Sequence, residues 1–125
     1  MIALVVDDSR ATRTMLRGML TKLGFDVVEA SHGVEALERL GTLDTSVDFA
    51  LVDWNMPEMD GLELVRSLRA ERRYAELPVM MVTAESDATQ MARALMAGAD
   101  EYALKPIDLE GLETKLRLLG VLQEA

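Results

Sequence analysis

Short apolar runs alternate with longer amphipathic stretches along this chain. The runs lie at residues 2–6, more weakly at 26–30, then at 49–52, 79–82 and 101–104. Three of them are almost continuously apolar, the pattern of strands covered on both faces. Between the runs the apolar positions take helical spacing. Met15, Leu16, Met19, Leu20 and Leu23 precede Gly24, a C-terminal stop, and Val34, Leu37 and Leu40 precede Gly41 in the same way. Leu62, Leu64, Val65 and Leu68 mark a third helix. A fourth is expected to open at Asp87, with Gln90 as its capping partner, and to stop at Gly98. A fifth opens near Asp108 and carries Leu109, Leu112, Leu116 and Leu119. Five repeats of strand then helix predict right-handed crossovers and a parallel sheet with helices on both faces. The expectation is one five-stranded doubly wound α/β domain over residues 1–125, without linker, internal repeat or attached output domain.

Composition narrows the function. Half the residues are hydrophobic, so the chain is globular, and a formal net charge of −9 argues against general nucleic-acid binding. The same charge argues against docking on anionic membranes but suits divalent cations or basic partner surfaces. With no cysteine, neither a disulfide framework nor a thiolate metal site can form. The start, MIALVVDD, has no basic stretch and its apolar run is short, so it reads as neither signal peptide nor membrane span. A cytoplasmic protein is expected.

Ligands of open α/β sheets bind outside the carboxyl ends of the strands. The residues that follow the apolar runs are therefore informative. They are Asp7 and Asp8 after the first, Ser31 after the second, Asp53 after the third, Thr83 after the fourth, and Lys105-Pro106 after the fifth. In a parallel sheet all of these share one edge. Carboxylates within about 4–6 Å disfavour one another's ionised forms, and one lysine offsets only part of that. A hard divalent cation is the simplest remedy; magnesium takes one or two carboxylates plus waters and phosphate oxygens. Carboxylate, metal, hydroxyl and ammonium together suit a transferring phosphoryl group, with Asp53, at the end of a central strand, as nucleophile.

The stretches VVDDSR, LVDWNMPEMDG, MVTAES and YALKP, in that order, resemble the receiver domain of two-component response regulators, in particular the single-domain CheY-like chemotaxis type. The resemblance spans the chain and implies a flavodoxin-like sheet of order 2-1-3-4-5. It makes Asp53 the phosphoacceptor and gives Asp8 and Asp53 as direct magnesium ligands, Asp7 as a ligand through water, and Asn55 as a ligand through its backbone carbonyl. Manganese is a substitute cation. Thr83 and Lys105 match the residues that contact phosphoryl oxygens, and the bond before Pro106 is often cis in the family. Tyr102 matches a switch aromatic with outward and inward rotamers, and Asn55 and Glu85 match positions that tune loss of the phosphoryl group. Two departures stand out: Ile107 where an aromatic is frequent, and a slightly long GTLDTSVD loop.

The function implied is a phosphorylation-activated signalling switch, not a conventional enzyme, though it supplies groups for its own phosphorylation and dephosphorylation. The donor is a histidine kinase or phosphotransfer protein. The target is a protein bound in trans through the face formed by the fourth helix, fifth strand and fifth helix, where Met91 and Met96 offer adaptable apolar side chains. The domain is expected as a monomer or a phosphorylation-dependent dimer. A phosphorelay shuttle or phosphate sink would use the same chemistry. A flavodoxin-type FMN carrier shares the fold, but DDSRAT presents carboxylates where a phosphate cradle is needed. An aspartate-nucleophile phosphatase usually has a second acid two residues after the nucleophile, where this chain has Asn55. Trp54 reads as surface packing beside the acceptor and a fluorescence reporter. His32, the sole histidine, reads as a surface turn residue.

Overall fold

The computed structural model describes residues 1–56, 59–84 and 88–123. Strands and helices alternate as β1 (Ile2–Val6), α1 (Arg10–Lys22), β2 (Asp26–Ala30), α2 (Gly33–Thr42), β3 (Phe49–Asp53), α3 (Gly61–Ala70), a 3-10 turn (Arg72–Tyr74), β4 (Val79–Thr83), α4 (Ala88–Ala97), β5 (Glu101–Leu104) and α5 (Leu109–Leu118). The sheet is five-stranded in the order β2-β1-β3-β4-β5, and every pair is parallel. This is the doubly wound architecture that the alternation predicts. β3 and β4 each run one residue past the apolar run, so Asp53 and Thr83 are the last residues of their strands.

The two-residue period of the strands divides the core in two. Leu4, Val6, Ala50, Val52, Val79 and Met81 face one side, where Ala36 and Leu40 of α2, Leu64, Val65 and Leu68 of α3 and Ala94 of α4 cover them. Ala3, Val5, Phe49, Leu51, Met80 and Val82 face the other, under Leu16 and Leu20 of α1 and Leu112 and Leu116 of α5. β3 and β4 are buried along their whole length, which explains their near-continuous apolar sequence.

Helix boundaries follow local chemistry. Ser9 caps α1 by accepting from Thr12 N, and Asp108 caps α5 by accepting from Gly111 N at 2.7 Å. Gly24 and Gly98 have φ of 96° and 115°, left-handed values that glycine adopts without strain, and they follow α1 and α4 as predicted. Gly41 does not act as a stop: α2 continues through it to Thr42. Two side chains of the predicted apolar faces also turn outward, Met15 and Val34, because only part of each wide stripe meets the sheet. Asp87, where the cap of α4 is expected, lies outside the described residues. Among the described residues no helix is long and apolar enough to cross a membrane.

Candidate functional site

The carboxyl edge of the sheet gathers the residues expected there. Asp7 and Asp53 are buried at 1% and 5% exposure, Thr83 is fully buried, and Asp8 is exposed. One carboxylate oxygen each from Asp7, Asp8 and Asp53 fall within 4.8 Å of one another. Lys105 Nζ donates to Asp7 Oδ2 at 2.9 Å and to Asp53 Oδ1 at 3.1 Å. Thus three negative charges face one positive charge, and two of the acids are almost out of contact with water.

The backbone places each group. β1 lies between β2 and β3 and Val6 pairs with Val52, so Asp7 emerges beside Asp53 on the sheet edge; its amide donates to Ala30 O at 3.1 Å. Asp7 Oδ1 accepts from Ser9 N at 2.8 Å, which folds the chain directly into the cap of α1. Asp53 pairs in register with Val82, so Thr83 lies one residue further along the neighbouring strand. Thr83 in turn pairs with Leu104, and its carbonyl accepts from Lys105 N at 2.8 Å. That bond sends the Lys105 side chain back over the edge toward the acids. The Lys105–Pro106 peptide bond is cis.

Gly61 closes the turn after Asp53. Its amide donates to Trp54 O at 2.9 Å, and a Cβ added there would lie 2.3 Å from the Asp53 carbonyl oxygen and 2.9 Å from Trp54 Cα. Only glycine lets the first residue of α3 approach the end of β3 this closely. The Asp60-Gly61 pair therefore serves two ends: Asp60 caps α3 by accepting from Glu63 N at 2.9 Å, and Gly61 supplies the room.

Electrostatics at the edge follows from burial. The Asp53 pKa is raised from 3.8 to about 6, first by burial and then by the charge of Asp7. The hydrogen bond and charge of Lys105 oppose the rise, and Asp8 adds to it. For Lys105, burial disfavours the ammonium, but its hydrogen bonds to Asp7 and Asp53 and their charges prevail and hold its pKa above the usual value. Both groups thus keep their protons to higher pH than free side chains do. A divalent cation would relieve the crowding of acids, and the hard oxygen donors present are the kind that magnesium prefers.

The other predicted residues fall as follows. Asn55 is exposed just beyond β3, and Tyr102 is buried at 4% on the side of the sheet that carries α4. Glu85 lies outside the described residues. Trp54 is not surface packing: it is 6% exposed within the core, and the Arg93 guanidinium of α4 sits 5.9 Å from its ring centroid. His32 has a definite partner too, capping α2 by accepting from Glu35 N on Nδ1 at 3.1 Å. Ile107 is buried at 9% against α5, an apolar role that needs no aromatic ring. Arg13, absent from the sequence reading, donates to the Asp7 carbonyl at 2.7 Å. Its place five residues into the segment after Asp8 gave no sign that it would turn back to β1.

This fold and this edge define a class, a parallel five-stranded domain with an acid cluster and a lysine at its switch point, and the chain belongs to the family described as the response regulator receiver domain, which matches residues 3–117. Its members are phosphorylation-activated response regulators, signalling domains rather than conventional enzymes. Two relatives are the chemotaxis protein CheY homolog of Campylobacter jejuni and chemotaxis protein CheY1 of Helicobacter pylori. The first is 47% identical over 114 residues, covering 90% of this chain and 87% of that protein. The second is 45% identical over 118 residues, covering 93% and 94%. Among solved structures, chemotaxis protein CheY4 of Vibrio cholerae superposes with a TM-score of 0.88 at 31% identity, over 94% of this chain and 97% of that one.

Proposed function

We propose that this chain is a chemotaxis-type switch that accepts a phosphoryl group on Asp53 from the phosphohistidine of a histidine kinase or phosphotransfer protein. The observation that carries this reading is the bridge of Lys105 Nζ to Asp7 and Asp53 at 2.9 and 3.1 Å beside a third carboxylate. Asp8 and Asp53 would hold magnesium directly, Asp7 through water and Asn55 through its backbone carbonyl. The cation would supply positive charge against the phosphoryl oxygens. An Asp53 carboxylate oxygen forms the new P–O bond as the donor's P–N bond breaks, and the electron pair of that bond returns to the donor imidazole. Lys105 is already at hydrogen-bond distance from the acceptor, so it needs only a small move to meet phosphoryl oxygens. Thr83, at the end of the adjacent strand, is the second group that contacts them.

The phosphoryl adds about −1.5 to −2 charge at a buried position. Thr83 and Lys105 are drawn toward it, and Tyr102, on the strand between α4 and α5 in sequence, reports the change to the α4-β5-α5 face. A protein target that prefers the repacked face shifts the population by its differential affinity. Asn55 and Glu85 tune loss of the phosphoryl group, which the domain catalyses on itself. The domain acts in the cytoplasm, binding its target in trans as a monomer or a phosphorylation-dependent dimer.

Incubation with magnesium and acetyl phosphate, or with a phosphorylated histidine kinase, tests the assignment. Labelling of the wild type and none of Asp53→Asn is expected. Labelling of that variant at another residue would overturn it.

A further inference from the structure

The peptide bond that joins Asp7 to Asp8 is gripped by a side chain of α1. Arg13, whose side chain is 16% exposed, donates Nη1 to the Asp7 carbonyl oxygen at 2.7 Å and Nε to Glu29 Oε1 at 3.2 Å. The second oxygen of Glu29 takes Arg17 Nε at 2.9 Å, and Arg17 Nη2 donates to Val27 O at 2.8 Å. One planar guanidinium therefore ties the end of β1 to β2, and Glu29 is itself held in place from α1.

Asp8 needs such support. Among the described residues no hydrogen bond or ion pair holds its carboxylate, yet that carboxylate is one of the three within 4.8 Å. Its direction is set by the backbone on either side. The Asp7 amide is tied to Ala30 O, and Ser9 is fixed by its amide on Asp7 Oδ1 and its carbonyl on Arg13 N at 3.0 Å. The carbonyl between them, which fixes the rotation of the Asp7–Asp8 peptide, rests on the Arg13 fork.

We infer that Arg13, braced by Glu29, is a positioning residue for the cation site: it fixes the Asp7–Asp8 peptide and so aims the Asp8 carboxylate at Asp53. The inference rests on the proposed role of Asp8 as a magnesium ligand. Charge alone predicts the opposite sign. A guanidinium beside an acid cluster repels a divalent cation, so its removal would tighten magnesium binding. Loss of positioning weakens it, typically by about 10–100-fold for a partner one step outside a metal's ligands.

The test is magnesium titration of the full chain followed by Trp54 fluorescence, at a temperature where circular dichroism shows each protein folded. Arg13→Met and Arg13→Lys are both expected to weaken the magnesium Kd by about 10-fold. Lysine keeps the charge but lacks the planar fork that reaches a carbonyl and a carboxylate together. Glu29→Gln retains an acceptor for Arg13 and is expected to weaken binding less. Phe25→Leu, a core change at the opposite edge of the sheet where Phe25 is 3% exposed, is expected to lower stability and leave the Kd unchanged. Unchanged or tighter binding by Arg13→Met overturns the inference and leaves the acid site standing. Should that variant not fold, unchanged binding by both Arg13→Lys and Glu29→Gln overturns it instead. A wild type that does not bind magnesium overturns the metal site and this inference with it.

Discussion

Asp53→Asn is expected to stabilise the metal-free protein at neutral pH, although it removes the proposed acceptor. Asp53 is 5% exposed, and burial, then the Asp7 charge, raise its pKa from 3.8 to about 6 against the opposition of Lys105. A carboxylate whose native pKa is raised favours folding at low pH, where it is protonated in both states. That advantage is lost as pH rises from the unfolded value through the native one, because the unfolded chain then releases its proton first. From 3.8 to about 6, at about 1.36 kcal/mol per pH unit, the full effect is about 3 kcal/mol. Linkage places about 1 kcal/mol of it by pH 4.5 and nearly all of it by pH 7.5. Asparagine has the same shape and keeps an oxygen for Lys105 without the charge. Urea denaturation of both proteins in chelator should show the variant more stable, with the difference growing by about 2 kcal/mol between pH 4.5 and 7.5. Only the difference is read, since the other acids titrate in both. Magnesium at about 100 times its Kd should then stabilise the wild type by about 2.7 kcal/mol and narrow the gap. A variant no more stable than the wild type at pH 7.5 in chelator, or a gap that does not change with pH, would refute the electrostatic account of the site.

Lys105→Ala should leave phosphorylation measurable while uncoupling it from target binding, because the proposed function makes Asp53 the acceptor and gives Lys105 only a contact to the phosphoryl oxygens; undiminished phosphate-dependent binding would contradict this. The same variant should carry the Asp53 pKa above about 6, since the Lys105 hydrogen bond and charge now lower it, and carboxyl NMR titration reads that shift. Gly61→Ala forces a Cβ to within 2.3 Å of the Asp53 carbonyl, and the backbone must move. A loss of about 2 kcal/mol or more in denaturant, with weakened magnesium binding, is expected. Ser9→Ala removes the cap that Thr12 N uses and should destabilise the fold by about 1 kcal/mol; a change within error would mean that water replaces the hydroxyl.

Much of the fold can be read along the chain because parallel strands buried on both faces must be apolar throughout. Runs ending at Val6, Val52 and Val82 therefore announce three of the strands directly. The helices are equally plain where glycine follows an apolar stripe, as at Gly24 and Gly98. The reading of Gly41 as a stop failed for a physical reason. A glycine ends a helix only where the chain turns into the left-handed region, and at Gly41 it does not. Trp54 misled in another way: an aromatic beside a strand end has no sequence mark that tells burial under a neighbouring helix from exposure.

The order of residues along the chain shows which chemical groups end the strands, and with the rule that parallel strands share an edge it groups Asp7, Asp8, Asp53, Thr83 and Lys105. It does so because strand direction and residue spacing are local properties. The relations between segments far apart in the chain emerge only in the folded molecule. These include Lys105 bridging two acids from two strands, Gly61 clearing the Asp53 carbonyl, Arg93 over Trp54, and Arg13 holding the Asp7–Asp8 peptide with Glu29. Each depends on where a side chain ends after several rotatable bonds, and that is fixed by packing and hydrogen bonds across the fold rather than by position along the chain.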